Sequence, residues 1–294
     1  MQPKIFLTGA TGYIGSAIAK ALQRAGYDVS GLARSDEAAA RLTAQGITPL
    51  RGDLNDPRHL AHAAAESEGV IHAGTTNNGR IDQDAVVAMA NSLRATLKPF
   101  IYTSGIWVLG DTGGKVADET WPLNPIPLVA WRPDVENMVI AAGRLDVRSI
   151  VIRPAVVYGY GKGLAAEFAK SARETGAARY VGSGENHWPM VHADDLADLY
   201  VRALRGAVSG TILFAADEST FRVREIAEAA SVGAGAGGRT ESWPIEEARK
   251  VIGGFADALA LDQIVSSAKA RTMLGWKPSA PSVLDDLRQG SYVR

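Results

Sequence analysis

Cysteine is missing from all 294 residues. That excludes disulfides, thiolate-held zinc, iron–sulfur clusters and a cysteine nucleophile. An excess of either charge is missing too: 31 Lys and Arg against 32 Asp and Glu give a formal net charge of −1. No block of about five basic residues occurs, so the chain lacks the electrostatic footprint of a nucleic-acid binder. No stretch approaches the ~20 apolar residues of a membrane span. The opening residues carry only the short apolar run Ile5-Phe6-Leu7 before Thr8 and Gly9, which argues against a secretory leader. We expect a soluble, cytoplasmic protein with neither nucleic acid nor membrane as partner. A full metal-ligand set is also lacking. His192, Asp194 and Asp195 crowd into one short run and do not make a coordination sphere, so no metal is expected.

What is present is an apolar content of 46%, enough for a sizeable core. At roughly 100–200 residues per domain, the length allows one large or two moderate domains. Short apolar runs predict strands over 5–8, 28–33, 48–50, 70–73, 100–103, 148–153 and 211–215. Helical periodicity falls between them, over 14–25, 36–44, 59–65, 82–97 and 133–142. This cadence predicts an α/β fold, a doubly wound parallel sheet. Beyond Gly159 the cadence loosens, and a smaller, discontinuous C-terminal lobe is expected. The predicted division is a first domain of 1–158 with 190–218, and a smaller lobe of 159–189 with 219–294. The Gly/Ala run at 233–238 follows a helix rather than a strand, so it reads as a loop.

The informative segment is Thr8-Gly9-Ala10-Thr11-Gly12-Tyr13-Ile14-Gly15, between the first strand and the first helix. One glycine permits the tight turn, a second lets backbone approach a pyrophosphate, and a third packs helix on strand. The helix start offers free N–H groups and partial positive charge to the anion. Gly9, Thr11, Gly12, Tyr13 and Ile14 are therefore candidate cofactor contacts. A carboxylate about 20 residues on would bind a ribose hydroxyl and favour NAD. This chain has Arg34 and Ser35 there, which suit a 2′-phosphate, so NADP is preferred. After the third strand, Asp53 is placed to accept from the adenine amino group or to cap the next turn. Leu54 lies beside it.

These features resemble the extended short-chain dehydrogenase/reductase superfamily, which includes nucleotide-sugar epimerases and dihydroflavonol reductases. The marks are TGATGYIG at 8–15, GDL at 52–54, IHAGT at 71–75, YTSG at 102–105, IRPAVVYGYGKG at 152–163, WPMVHADDLADLY at 188–200 and LGWKP at 274–278. The resemblance implies a Rossmann domain, a bound nicotinamide cofactor and a small lobe over the substrate. It adds Ala73, Gly74 and Thr103 to the cofactor contacts and sets Pro154, Val156 and Val157 against the nicotinamide. It also implies a homodimer through the helix at 82–97 and the one starting near Pro133.

The resemblance breaks at the chemistry. Such enzymes use a Ser or Thr after the fifth strand, then a Tyr with a Lys four residues later. No tyrosine occurs here between Tyr102 and Tyr158. Anchoring on Glu136 puts Leu128 at the Tyr position and Arg132 at the Lys position. Anchoring on an aromatic match puts Trp131 and Val135 there. The first is preferred because Arg132 keeps a cation near the ribose. Gly105 falls where the catalytic Ser usually stands, leaving Ser104 as the candidate to hold a substrate oxygen. Proton donors to weigh are Tyr158, Tyr102, His187, His192, Ser104 and water. Tyr158 is favoured because it follows the sixth strand, at the sheet edge where ligands bind. Trp107, Trp131, His187 and Trp188 are candidate substrate contacts. Arg222, Arg224, Arg239 and Arg249 leave a diphosphate-bearing substrate open. Three functions compete: an NADP-dependent oxidoreductase of a small carbonyl/alcohol pair, a sugar-nucleotide epimerase or dehydratase, and a non-catalytic NADP-binding sensor or scaffold.

Overall fold

Strands and helices alternate in the computed structural model, which describes residues 2–293. The main strands are β1 (Lys4–Thr8), β2 (Asp28–Ala33), β3 (Thr48–Arg51), β4 (Gly69–His72), β5 (Pro99–Thr103), β6 (Arg148–Pro154) and β7 (Thr211–Ala215). They form one parallel sheet in the order β3-β2-β1-β4-β5-β6-β7. The chain runs outward from β1 to β3, then crosses back to β4. Beyond the carboxyl ends of β1 and β4 that switch leaves a crevice, the place where open α/β sheets bind ligands.

Helices α1 (Tyr13–Arg24), α2 (Asp36–Ala44), α3 (Pro57–Ala65), α4 (Gly79–Ser92) and α5 (Arg132–Ala141) link these strands. Later come α6 (Leu164–Thr175), α7 (Ala193–Gly206) and α8 (Val223–Gly233). Successive strand side chains point to opposite faces. Ile5 and Leu7 accordingly join a core with Ile18 of α1 and Leu199 of α7, whereas Phe6 joins Leu60, Met89 and Val135 of α3, α4 and α5. Both faces are covered, which is why the strands are nearly continuous apolar runs rather than alternating ones. No helix among the described residues is long and apolar enough to cross a membrane.

One expected helix is displaced. The predicted 82–97 element is α4, Gly79–Ser92. It starts earlier because the Asn78 side chain accepts from the Arg80 and Ile81 amides. It stops earlier because Ala95 and Leu97 adopt positive φ, with their amides bonded to the Leu145 and Asp146 carbonyls. Leu97, which the periodicity put on the apolar stripe, is 69% exposed.

After β6 a second core forms. Strand Val156–Tyr158 pairs in parallel with Met190–His192, and Ala178–Val181 with Thr240–Trp243. Phe168 of α6, Ile226 of α8 and Leu287 pack between them. Both α7 and β7 return to the main sheet. Val156 and Tyr158, grouped by sequence with the first domain, contribute side chains to the lobe core instead.

Candidate active site

The turn after β1 is built around its glycines. Gly9 has φ +73°, and a Cβ there would stand 2.6 Å from the Ala73 carbonyl oxygen. The Gly12 amide donates to the Gly9 carbonyl at 2.8 Å. A Cβ on Gly15 would run into that same carbonyl, so only glycine lets α1 pack this close. Helix α1 opens at Gly12 with no side-chain cap. Its leading amides are left for an anion, and the cradle fits a dinucleotide pyrophosphate.

On one side of this turn lies a hollow of about 460 Å³. Gly9, Thr11 and Gly12 close one end, and Arg34, Ser35 and Arg41 the other. Neither Arg34 nor Arg41 takes part in any ion pair of the described residues. The acid nearest in sequence, Asp36, pairs with Arg51 at 3.2 Å. Ser35 caps α2 by accepting from the Ala38 amide, 3.2 Å away. Asp53 lines the hollow and also holds its own turn, accepting from the Asn55 amide at 2.9 Å. Leu54, Ala73 and Gly74 complete the wall.

On the other side, Tyr13 and Ile14 open a second hollow of about 660 Å³. Ser104, Gly105 and Trp107 from the end of β5 line it, together with Leu128, Val129 and Arg132. Pro154, Val156 and Val157 line it as well. Phe255 reaches in from the C-terminal lobe and meets Trp107 edge to face, ring centroids 5.9 Å apart. Arg132 begins α5, donates from Nη1 to the Thr103 carbonyl at 3.2 Å and lies 4.9 Å over the Trp131 ring. Ser104 Oγ is covered and has no hydrogen-bond partner.

Five predicted residues lie elsewhere. Tyr158 is 1% exposed in the lobe core, and its hydroxyl donates to the Pro281 carbonyl at 2.7 Å. Burial first, then the Asp217 charge, pushes that phenol above the ordinary tyrosine range, so it holds its proton. Trp188 is also core, stacked on Phe168 at 5.5 Å with its indole N–H on the Leu259 carbonyl. His187 is tied to Asp262 through its amide and Nδ1, both at 2.8 Å. Trp131 packs over Gly79, supporting Arg132 rather than facing the hollow. Thr103 pairs its hydroxyl with the Tyr200 phenol at 2.7 Å, on the side of the sheet covered by α7.

A model of the NAD dependent epimerase/dehydratase family matches residues 5–213. The chain belongs to this family. It is 35% identical, over 97% of its length and 98% of the relative's, to an uncharacterized protein of Saccharomyces cerevisiae. It is 28% identical to a 2-alkyl-3-oxoalkanoate reductase of Stenotrophomonas maltophilia, over 76% of this chain and 73% of that one. UDP-glucose 4-epimerase of Thermus thermophilus, solved with NAD, shares the fold with a TM-score of 0.80 at 20% identity, over 98% of this chain and 97% of that one. This epimerase/dehydratase family member is thus an enzyme of the NAD(P)-dependent oxidoreductase type.

Of the two registers weighed in the sequence, one is anchored on Glu136. It puts Leu128 and Arg132 together on the hollow's wall. The other puts its second residue at Val135, which is fully buried on the inner face of α5. Glu136 itself is 2% exposed and holds Arg153 with two hydrogen bonds of 3.0 and 2.5 Å. Sequence reasoning missed Arg41, Glu167 and Phe255. Helical spacing carried a signal for the first, since Ala38 and Arg41 are three apart on α2 and share a face. Nothing local marks Phe255, which arrives from the far end of the chain.

Proposed function

We propose that this protein reduces a small, uncharged carbonyl compound with NADPH. The observation that carries this reading is the lining of the reaction-end hollow: one cation, Arg132, among Trp107, Leu128, Val129 and Phe255. A sugar nucleotide brings a diphosphate, which needs clustered cations. The lobe arginines are engaged elsewhere. Arg224 pairs with Glu185 at 2.6 Å, Arg222 with the same carboxylate at 3.5 Å, and Arg249 with Asp257 at 2.6 Å. Arg239 donates to the Gly176 carbonyl. The relative named as a 2-alkyl-3-oxoalkanoate reductase supports carbonyl chemistry.

The glycine turn and the α1 amides hold the pyrophosphate. Arg34 and Arg41, both without a carboxylate partner among the described residues, take the 2′-phosphate, which favours NADPH over NADH. Pro154, Val156 and Val157 pack against the nicotinamide, which when bound supplies a hydride. Arg132 faces the substrate oxygen, and Trp107 and Phe255 enclose its apolar body. The protein works as a homodimer through α4 and α5, which expose Val87 and Met138; light scattering gives the mass. The functional test is loss of reduced-nicotinamide absorbance with small aldehydes and ketones. Turnover is expected with NADPH at least about tenfold better than with NADH, and UDP-glucose is expected to leave the melting temperature unchanged. Tight NADPH binding with no turnover of any carbonyl would overturn the reading.

A further inference from the structure

The wall around Arg132 offers a fixed positive charge and no proton to transfer. Gly105 carries no side chain, and a Cβ there would meet nothing within 4 Å. Leu128 is hydrocarbon, and Ser104, which lines the hollow, brings only a covered aliphatic hydroxyl. Tyr13 does line the hollow, yet its phenol is committed to the Gly159 carbonyl at 2.7 Å. Glu167, an exposed carboxylate on α6, is an acceptor. Tyr102 is 2% exposed in the layer of α4 and α5, its phenol beside the Arg132 charge but on no wall of the hollow. Arg132 makes no ion pair among the described residues. A guanidinium has five donors and does not give up its proton.

Such a wall stabilises an oxyanion but cannot neutralise it. Adding hydride to an isolated ketone makes an alkoxide, a base strong enough to demand an acid in the same step. Adding hydride to a conjugated acceptor makes an enolate, whose charge is spread and whose oxygen a planar guanidinium fork can hold. Resting on the carbonyl-reductase reading above, we infer that Arg132 forms an oxyanion site, and that the substrates are α,β-unsaturated carbonyl compounds. The β-carbon gains the hydride and a new C–H bond forms. The C=C electron pair shifts to give the enolate, which lies against Arg132. Its α-carbon then takes a proton from water, so that NADPH, enone and water yield NADP⁺, the saturated ketone and hydroxide. The apolar, aromatic walls suit the flat body of such a compound.

Two measurements test this. The first needs no cofactor: 4-nitrophenol is titrated against pH in the presence of the protein and followed by its phenolate colour. Bound phenol is expected to ionise at least about one pH unit lower than free phenol. Arg132→Met is expected to abolish that shift, and Arg132→Lys to keep part of it. Binding of neutral phenol only, or an equal shift in folded Arg132→Met, would overturn the oxyanion site. The second compares cyclohexenone with cyclohexanone under NADPH. The enone is expected to turn over at least about a hundredfold faster and to give cyclohexanone. An allylic alcohol product or equal rates would overturn the substrate class while leaving carbonyl reduction standing. No NADPH oxidation with any carbonyl would sink the underlying reading, whatever the phenol result.

Discussion

Thr8 Oγ1 lies 2.6 Å from His72 Nδ1 and accepts the Gly74 amide at 3.1 Å, joining the ends of β1 and β4 beneath the glycine turn. His72 is fully buried, and its Nε2 has no partner. Burial disfavours the charged ring and brings its pKa from 6.5 down to about 4, with Asp82 opposing.

Stability should therefore depend on acid through His72. Between about pH 6.5 and about pH 4 the unfolded chain binds a proton at this ring that the folded chain does not. The stabilisation is complete above that window and declines as pH falls through it, by on the order of 3 kcal/mol in all. Urea unfolding at about pH 7 and about pH 5 checks this. His72→Gln is expected to flatten the difference; an unchanged pH slope in the variant would remove His72 as its source.

Arg34 and Arg41 should set coenzyme choice. Arg34→Asp replaces a phosphate partner with a ribose-hydroxyl partner, so NADPH is expected to weaken and the preference to move toward NADH. Arg41→Ala should weaken NADPH by about tenfold and leave NADH nearly untouched. Calorimetry with both coenzymes reads this directly. Equal losses for the two coenzymes would mean that Arg41 acts on the fold rather than on the phosphate.

The Glu136–Arg153 pair should be a stability element. Both side chains are 2% exposed. Glu136→Ala leaves a buried guanidinium uncompensated, at an expected cost of about 3–5 kcal/mol. Denaturant midpoints check it, and a loss below about 1 kcal/mol would show that water or another acceptor replaces the carboxylate.

Tyr158→Phe should leave turnover intact. It removes the hydroxyl that donates to the Pro281 carbonyl and, more weakly, to Asp217, and is expected to cost about 1 kcal/mol of stability. A large fall in kcat with an unchanged melting temperature would return Tyr158 to the chemistry.

The glycine turn was legible in the sequence because its constraints are local. A tight turn, a close backbone approach and an uncapped helix start each need particular residues within a few positions. The side toward which Tyr158 points was not legible. Strand Val156–Tyr158 leaves the main sheet and pairs with Met190–His192, and that pairing turns its alternate side chains into the lobe core. The helix at 82–97 failed for a similar reason: Leu97 fits the apolar period, but its amide is taken by a carbonyl that arrives from Asp146.

By itself the sequence determined the alternation of strand and helix, the phosphate cradle, the cation after β2 and the missing tyrosine. All of these follow from periodicity or residue type over short spans. The tertiary structure alone decided that Leu128 and Arg132 share a wall with Gly105, that Phe255 closes on Trp107, and that Arg41 joins Arg34. Those neighbours meet only after the chain crosses the sheet and the lobe folds back, and no local spacing encodes such a meeting.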